Sequence, residues 1–162
     1  MAKFTSVSTV RALSLVAGTF ILGLATVQPV SADQDLAMQL RTSDREVHGT
    51  REVEAGNYDA GIAKLHKALE NTGSSLRRAP ILNNLCVAYV ASGQLENAQA
   101  YCDLAVESGF EQSVAHNNRG VLNFVLGNFD ASVKDLETAT KVGSQKLYVE
   151  RNLDLAKTNK GA

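Results

Sequence analysis

The sequence predicts an all-α fold, an antiparallel helix-pair solenoid of three repeats closed by a seventh, capping helix. Three observations predict it. Pro stands only at positions 29 and 80 and Trp is absent, so the turn-rich punctuation of a β fold is missing. Apolar residues recur at three and four positions in Leu82, Leu85, Cys86 and Tyr89, the period of a helix with one buried face. Three segments also superimpose: Gly56-Asn57-Tyr58-Asp59, Gly93-Gln94-Leu95-Glu96 and Gly127-Asn128-Phe129-Asp130. Their glycines are 37 and 34 residues apart, and Ala68, Ala105 and Ala139 repeat the same two intervals. Two independent landmarks that shift together mark an internal repeat.

Residues 1–32 stand apart. Lys3 and Arg11 give a positive start, Ala12 to Val27 an apolar run, and Val30-Ser31-Ala32 a small-x-small exit before the polar Asp33. That order is a secretory signal, with cleavage after Ala32 expected. The run is interrupted by Ser14, Gly18, Thr19, Gly23 and Thr26 and falls short of the roughly 20 apolar residues of a membrane span. The mature chain is therefore expected to be secreted or periplasmic, with no membrane insertion. Of the 16 Lys and Arg and 17 Asp and Glu, only Lys3 and Arg11 lie in that segment, which leaves 14 cations against 17 acids, net −3. No basic stripe survives, which disfavours nucleic acid and anionic lipid as partners.

The repeat domain is expected over 33–158, with repeats at about 42–75, 79–112 and 113–146, a cap helix at 147–158 and a tail at 159–162. Each turn Gly can take the left-handed backbone that ends a helix and lets the chain double back. Tyr58, Leu95 and Phe129 plug the hairpin, and Asp59, Glu96 and Asp130 meet the positive end of the second helix. Small residues at Gly61, Ala98 and Ser132, and at Gly49, Cys86 and Gly120, let helix backbones approach. Leu36 to Ala55 is expected as the first helix, and Gly73 to Arg78 as the loop that carries three extra residues. The phase continues into the cap, with Asn84, Asn118 and Asn152 evenly spaced. Leu85, Arg119 and Leu153 are spaced alike, although Arg119 breaks the apolar match.

This pattern resembles the tetratricopeptide repeat, most closely from Ala115-His116-Asn117-Asn118-Arg119-Gly120 through Gly127-Asn128-Phe129-Asp130 to Ala139. The resemblance covers about residues 42 to 158. It departs where Arg45, Leu82 and His116 replace a large aromatic, and in lacking the proline after the second helix. The resemblance implies that the first helix of each pair lines an inner groove. By phase, that groove holds Asn83, Asn84, Val87, Asn117, Asn118, Val121, Phe124 and Val125. An Asn amide donates and accepts at once, so an Asn row in a weakly apolar trough suits an extended peptide. Capture of a C-terminal carboxylate is disfavoured, since Glu46, Thr50, Asn84, Val114 and Asn118 include no cation.

No catalytic constellation, metal site or cofactor motif is expected. His48, His66 and His116 share no ligand spacing, the glycines follow the repeat rather than a phosphate loop, and Glu150 and Asp154 lie on an outer helix face. Cys86 and Cys102 flank the turn at residue 94, at similar height on antiparallel helices. They are a disulfide candidate in an oxidising compartment, and equally good as packed free thiols. The functional expectation is a protein or peptide binding adaptor of the cell envelope, not an enzyme. The alternative is a structural or self-associating subunit of a larger assembly.

Overall fold

The computed structural model describes residues 37–143 and 147–161, so the expected signal sequence and its cleavage after Ala32 lie outside the described residues. Among them, every regular element is a helix: α1 (Thr50–Glu54), α2 (Tyr58–Glu70), α3 (Ser75–Ala91), α4 (Leu95–Glu107), α5 (Gln112–Val125), α6 (Phe129–Val142) and α7 (Leu147–Lys160). The all-α class is as the sequence predicts.

The same turn closes three hairpins. Gly56, Gly93 and Gly127 adopt φ of 81°, 77° and 77°. After each, the next N–H reaches back five residues to a carbonyl: Asn57 to Glu52 at 2.8 Å, Gln94 to Tyr89 at 2.9 Å and Asn128 to Asn123 at 2.8 Å. This left-handed cap satisfies carbonyls that a helix end leaves bare and aims the chain back along itself. Each following helix then buries one stripe at i, i+4 and i+7: Ala98, Cys102 and Ala105 on α4, Ser132, Leu136 and Ala139 on α6. On α2, Gly61 and Leu65 are buried and Ala68 packs against the core.

Each helix packs on the next in sequence, and the odd-numbered helices α1, α3, α5 and α7 also pack on one another, whereas α4 makes no close approach to α2 or α6. The odd helices therefore form one continuous face. The core lies between the two sets, built around Val53, Leu65, Leu85, Cys86, Val87, Ala98, Cys102 and Leu122. Backbones come close where side chains are small. A Cβ on Gly120 would stand 2.7 Å from Leu136 Cγ, and the Ser132 hydroxyl donates to the Gly120 carbonyl at 2.8 Å. Cys86 and Cys102 form a disulfide with their Cα atoms 4.8 Å apart, which ties α3 to α4.

Three expectations are corrected. Of the helix expected from Leu36 to Ala55, residues 37–55 are described, and among them only Thr50–Glu54 is helical. The Asp44 carboxylate and carbonyl hold a turn, accepting from the N–H groups of Glu46 and Val47, and Gly49 at φ 109° starts α1 from a left-handed residue. Turn-forming Ser and Asp compete with helix here, and local bonds win. The three extra residues are not a loop either. They lengthen α3 to 17 residues against 14 in α5 and place Pro80 inside the helix. α7 runs to Lys160, into the expected tail.

Two changes test this packing. Leu136→Ala deletes a fully buried side chain against a site that Gly120 has already closed down, and should destabilise by ~2–5 kcal/mol in urea unfolding. Reducing the Cys86–Cys102 bond should lower the thermal midpoint, with ~3 kcal/mol lost as the unfolded chain regains loop entropy.

Candidate functional site

Before α1 the chain does something no helix does. Residues 37–43 have no helical structure and cross the face of α7, α5 and α3 in that order, as a strap running against the order of the helices. The strap is gripped at every second residue. The Gln39 N–H donates to Asn152 Oδ1 at 2.8 Å, Arg41 N–H to Asn118 Oδ1 at 2.9 Å and Ser43 N–H to Asn84 Oδ1 at 2.6 Å. The amides also donate in return. Asn118 Nδ2 gives to the Arg41 carbonyl at 2.8 Å, and Asn152 and Asn117 both give to the Gln39 carbonyl, at 2.9 and 3.0 Å. Alternation by two is the period of a strand, and these side-chain amides replace the neighbouring strand that would normally satisfy it.

The helices place those amides. Asn84, Asn118 and Asn152 sit 34 residues apart on α3, α5 and α7, and with Asn83 and Asn117 they are fully buried. A buried amide costs free energy unless its donors and acceptor are paired. Asn117, Asn118 and Asn152 meet that demand through the strap and through each other, with Asn152 Nδ2 donating to Asn117 Oδ1 at 2.9 Å and Asn117 Nδ2 to Asn118 Oδ1 at 3.3 Å. Asn84 differs, since its Nδ2 donates to the Thr50 hydroxyl at 2.7 Å.

The strap's side chains add three anchors. Leu40 packs on the edge of the core, and the Arg41 guanidinium lies 4.6 Å from the centroid of the Tyr148 ring. Burial pushes the Tyr148 phenol up, against the pull of that guanidinium. The Thr42 hydroxyl donates to Glu54 at 2.8 Å, and Arg45 donates twice to the same carboxylate. Burial alone would raise the Glu54 carboxyl, but these bonds outweigh it and hold it below the usual range.

Among the residues expected in the groove, Asn84, Asn117 and Asn118 meet the strap. Asn83 does not: it donates to Glu111 at 3.1 Å and its Oδ1 is buried without a partner. Val87 is fully buried and Val121 nearly so, so neither offers side-chain surface to an occupant. Phe124 is half-buried, and its ring meets that of Phe129, which opens α6 beyond the Gly127 turn, edge-on at 5.4 Å. Val125 is exposed, at the last position of α5. Asn152, Tyr148 and the strap itself were not among the expected residues, although the even spacing of Asn84, Asn118 and Asn152 pointed to the first of these.

A second polar cluster lies between α4 and α6, in a depression of ≈ 280 Å³. Arg119 Nε and Nη2 donate to the two oxygens of Asp135 at 2.9 and 2.8 Å, and Nη1 reaches Asp103 at 3.1 Å. His116 Nδ1 and Asn123 Nδ2 complete the Asp135 shell at 2.9 and 3.1 Å. Arg119 stands in the apolar slot of Leu85 because α4 and α6 leave a gap that a long, forked cation spans. Burial would raise the Asp135 carboxyl, but the bonds and charges of His116 and Arg119 outweigh it and lower it. Its oxygens are all committed, which makes it a structural tie rather than a general base.

Among the described residues, no group of three or more His, Cys, Asp or Glu side chains could hold a metal ion, and no helix is long and apolar enough to cross a membrane. His66 instead meets the Tyr89 hydroxyl at 2.8 Å. No protein-family profile, curated protein or solved structure matches the chain.

The Asp135 tie carries a pH signature. Its pKa is lower folded than unfolded, so its contribution is complete above the ordinary carboxylate range and is lost as pH falls through the folded value. Stability against urea should therefore fall below about pH 4, and Asp135→Asn should flatten that acid limb while lowering stability at neutral pH.

Proposed function

We propose that the chain is an extracytoplasmic, tetratricopeptide-like adaptor that docks an extended segment of an envelope protein along the concave face of α3, α5 and α7. The single observation that carries this reading is the asparagine clamp. Three amides at 34-residue spacing hold the backbone of an extended segment, and Asn118 and Asn152 each bond both the N–H and the carbonyl of one residue. Main-chain bonds of this kind give affinity without demanding a sequence, while pockets for alternate side chains set specificity.

The repeated Gly turns and the side-by-side odd helices support a solenoid of three repeats with α7 as its cap, since stacked repeats bury one another's apolar faces. The signal expected at 1–32 and the Cys86–Cys102 bond both suit an oxidising compartment outside the cytoplasm. A binding role rather than an enzymatic one is supported by the Asp135 cluster, whose charged groups are spent on each other. The second reading is a self-associating subunit. It is favoured by one observation, that the segment in the clamp is the chain's own and a second copy carries the same segment.

Photo-crosslinking from position 114, beside Arg41, Thr42 and Tyr148, separates the two in the cell that makes the protein. The expected product is a crosslink to a different protein. Asn118→Ala removes two backbone hydrogen bonds of about 1 kcal/mol each from an occupant, and in a chain whose own strap is freed by Arg41→Pro it should weaken that capture ~30-fold. Crosslinks only between copies of this chain favour the self-associating subunit, and a partner crosslink indifferent to Asn118→Ala removes the clamp from the reading.

A further inference from the structure

The strap raises a question of its own, because it fits the clamp incompletely. At the α7 and α5 positions, one residue exchanges both of its backbone groups with one Asn. At the α3 position only the Ser43 N–H is bound. Asn84 turns its donors to Thr50, while Ser43 Oγ and Asn83 Oδ1 are buried with no partner. The cause is the connection to α1. At Asp44 the strap must leave the face to make the turn into Thr50, held by bonds from Glu46 and Val47 to Asp44. A segment free of that connection could run straight on along α3, take up Asn84 in the two-point manner of Asn118, and bring a donor to Asn83.

Nothing in the grip requires the occupant to be the chain's own. Five of the strap's bonded groups are plain backbone, and the residues from Met38 to Thr42 are only half buried. A tether this short keeps the strap near the face at an effective concentration of about millimolar, so it holds the site against weak competitors.

We infer that residues 38–43 are a displaceable stand-in, and that the partner is a foreign extended segment that replaces them in the same register. This rests on the adaptor reading and adds the chemistry of the partner and the step by which it enters. The partner has free N–H groups at three alternate positions, so no Pro stands there. It carries an apolar side chain where Leu40 meets the core edge, a cation where Arg41 lies over Tyr148, and a small residue where Ser43 is enclosed. It continues past that point, where the strap cannot.

The test uses the full chain and a fluorescent synthetic peptide with the sequence of residues 37–45. Arg41→Pro in the protein removes the N–H that Asn118 accepts and so loosens only the strap. The expected result is at least ~10-fold tighter peptide binding by Arg41→Pro than by wild type. The gain should be lost when Asn118→Ala is added, and lost when the peptide itself carries Pro in place of Arg41. Equal binding by wild type and Arg41→Pro, or a gain that survives Asn118→Ala, overturns displacement.

Hydrogen exchange on the unaltered protein keeps the claim testable should Arg41→Pro unfold. The amides of Gln39, Arg41 and Ser43 should exchange at least ~100-fold faster than those of Val121 and Leu122 in α5, because the strap opens without global unfolding. Equal rates mean that it leaves only when the fold does, and overturn the inference. A concentration-dependent dimer of the wild-type chain, formed by exchange of straps between copies, overturns the foreign partner. Failure here beside envelope crosslinks that depend on Asn118 removes the exchange step and leaves the adaptor standing.

Discussion

The pairing of Asn118 with Arg41 is the constraint around which the odd-helix face is organised. An amide placed at full burial on a helix must find a donor and an acceptor, and its own helix offers no donor, since every interior backbone N–H is already spent. Arg41 offers both from one residue, at 2.9 and 2.8 Å. That solution repeats at Asn152 and Gln39 and is begun at Asn84 and Ser43. The strap is therefore not a loose end lying on a finished surface. It completes the hydrogen bonding of four buried amides, and the face would be a row of unsatisfied groups or bound water without it.

Placing such amides in register requires the helices to be in register first, and that is the work of the turns. Gly56, Gly93 and Gly127 close their hairpins with the same five-residue reach-back, so each following helix starts at the same height. The buried stripes on α2, α4 and α6 then fall at equivalent positions. Cys86 and Cys102 reinforce the central hairpin, where Tyr89 of α3 also stacks on Tyr101 of α4. Arg119 holds the next junction differently, by an ion pair to each flanking even helix. Removing one partner from such a tie leaves a buried charge exposed to its own desolvation, which is why Asp135 matters to folding without touching the clamp.

How much of this was legible follows the range of the interactions. The turns were readable because a left-handed Gly is a local requirement, visible within six residues. The height of the two cysteines was readable because their midpoint is the turn. The even spacing of Asn84, Asn118 and Asn152 was visible too, and with it the suitability of an Asn row for an extended chain. The strap was not, because its bonds span 77, 78 and 113 residues and an extended segment read through its backbone leaves no side-chain period. Its one local trace was Ser43-Asp44, a turn signal inside what the phase marked as helix. The contact of Phe124 with Phe129 was hidden for a related reason: helical phase gives a direction along one helix, and Phe129 arrives from beyond the turn.

The two polar clusters show how burial can serve opposite ends in one small fold. Around Asp135, every oxygen is met by a cation or an amide from the same chain, with bonds from three residues of α5 and no vacancy. Exchange there would require breaking charge-assisted bonds with nothing to replace them. The clamp is neutral, and its partner groups are the backbone N–H and carbonyl that every protein carries. One extended segment can therefore replace another with little net change in hydrogen bonding, so the balance is decided by the tether and by side chains at the Leu40, Arg41 and Ser43 positions. A neutral, two-point, backbone-reading grip is thus the form of buried polarity that stays stable when filled and still permits its occupant to change.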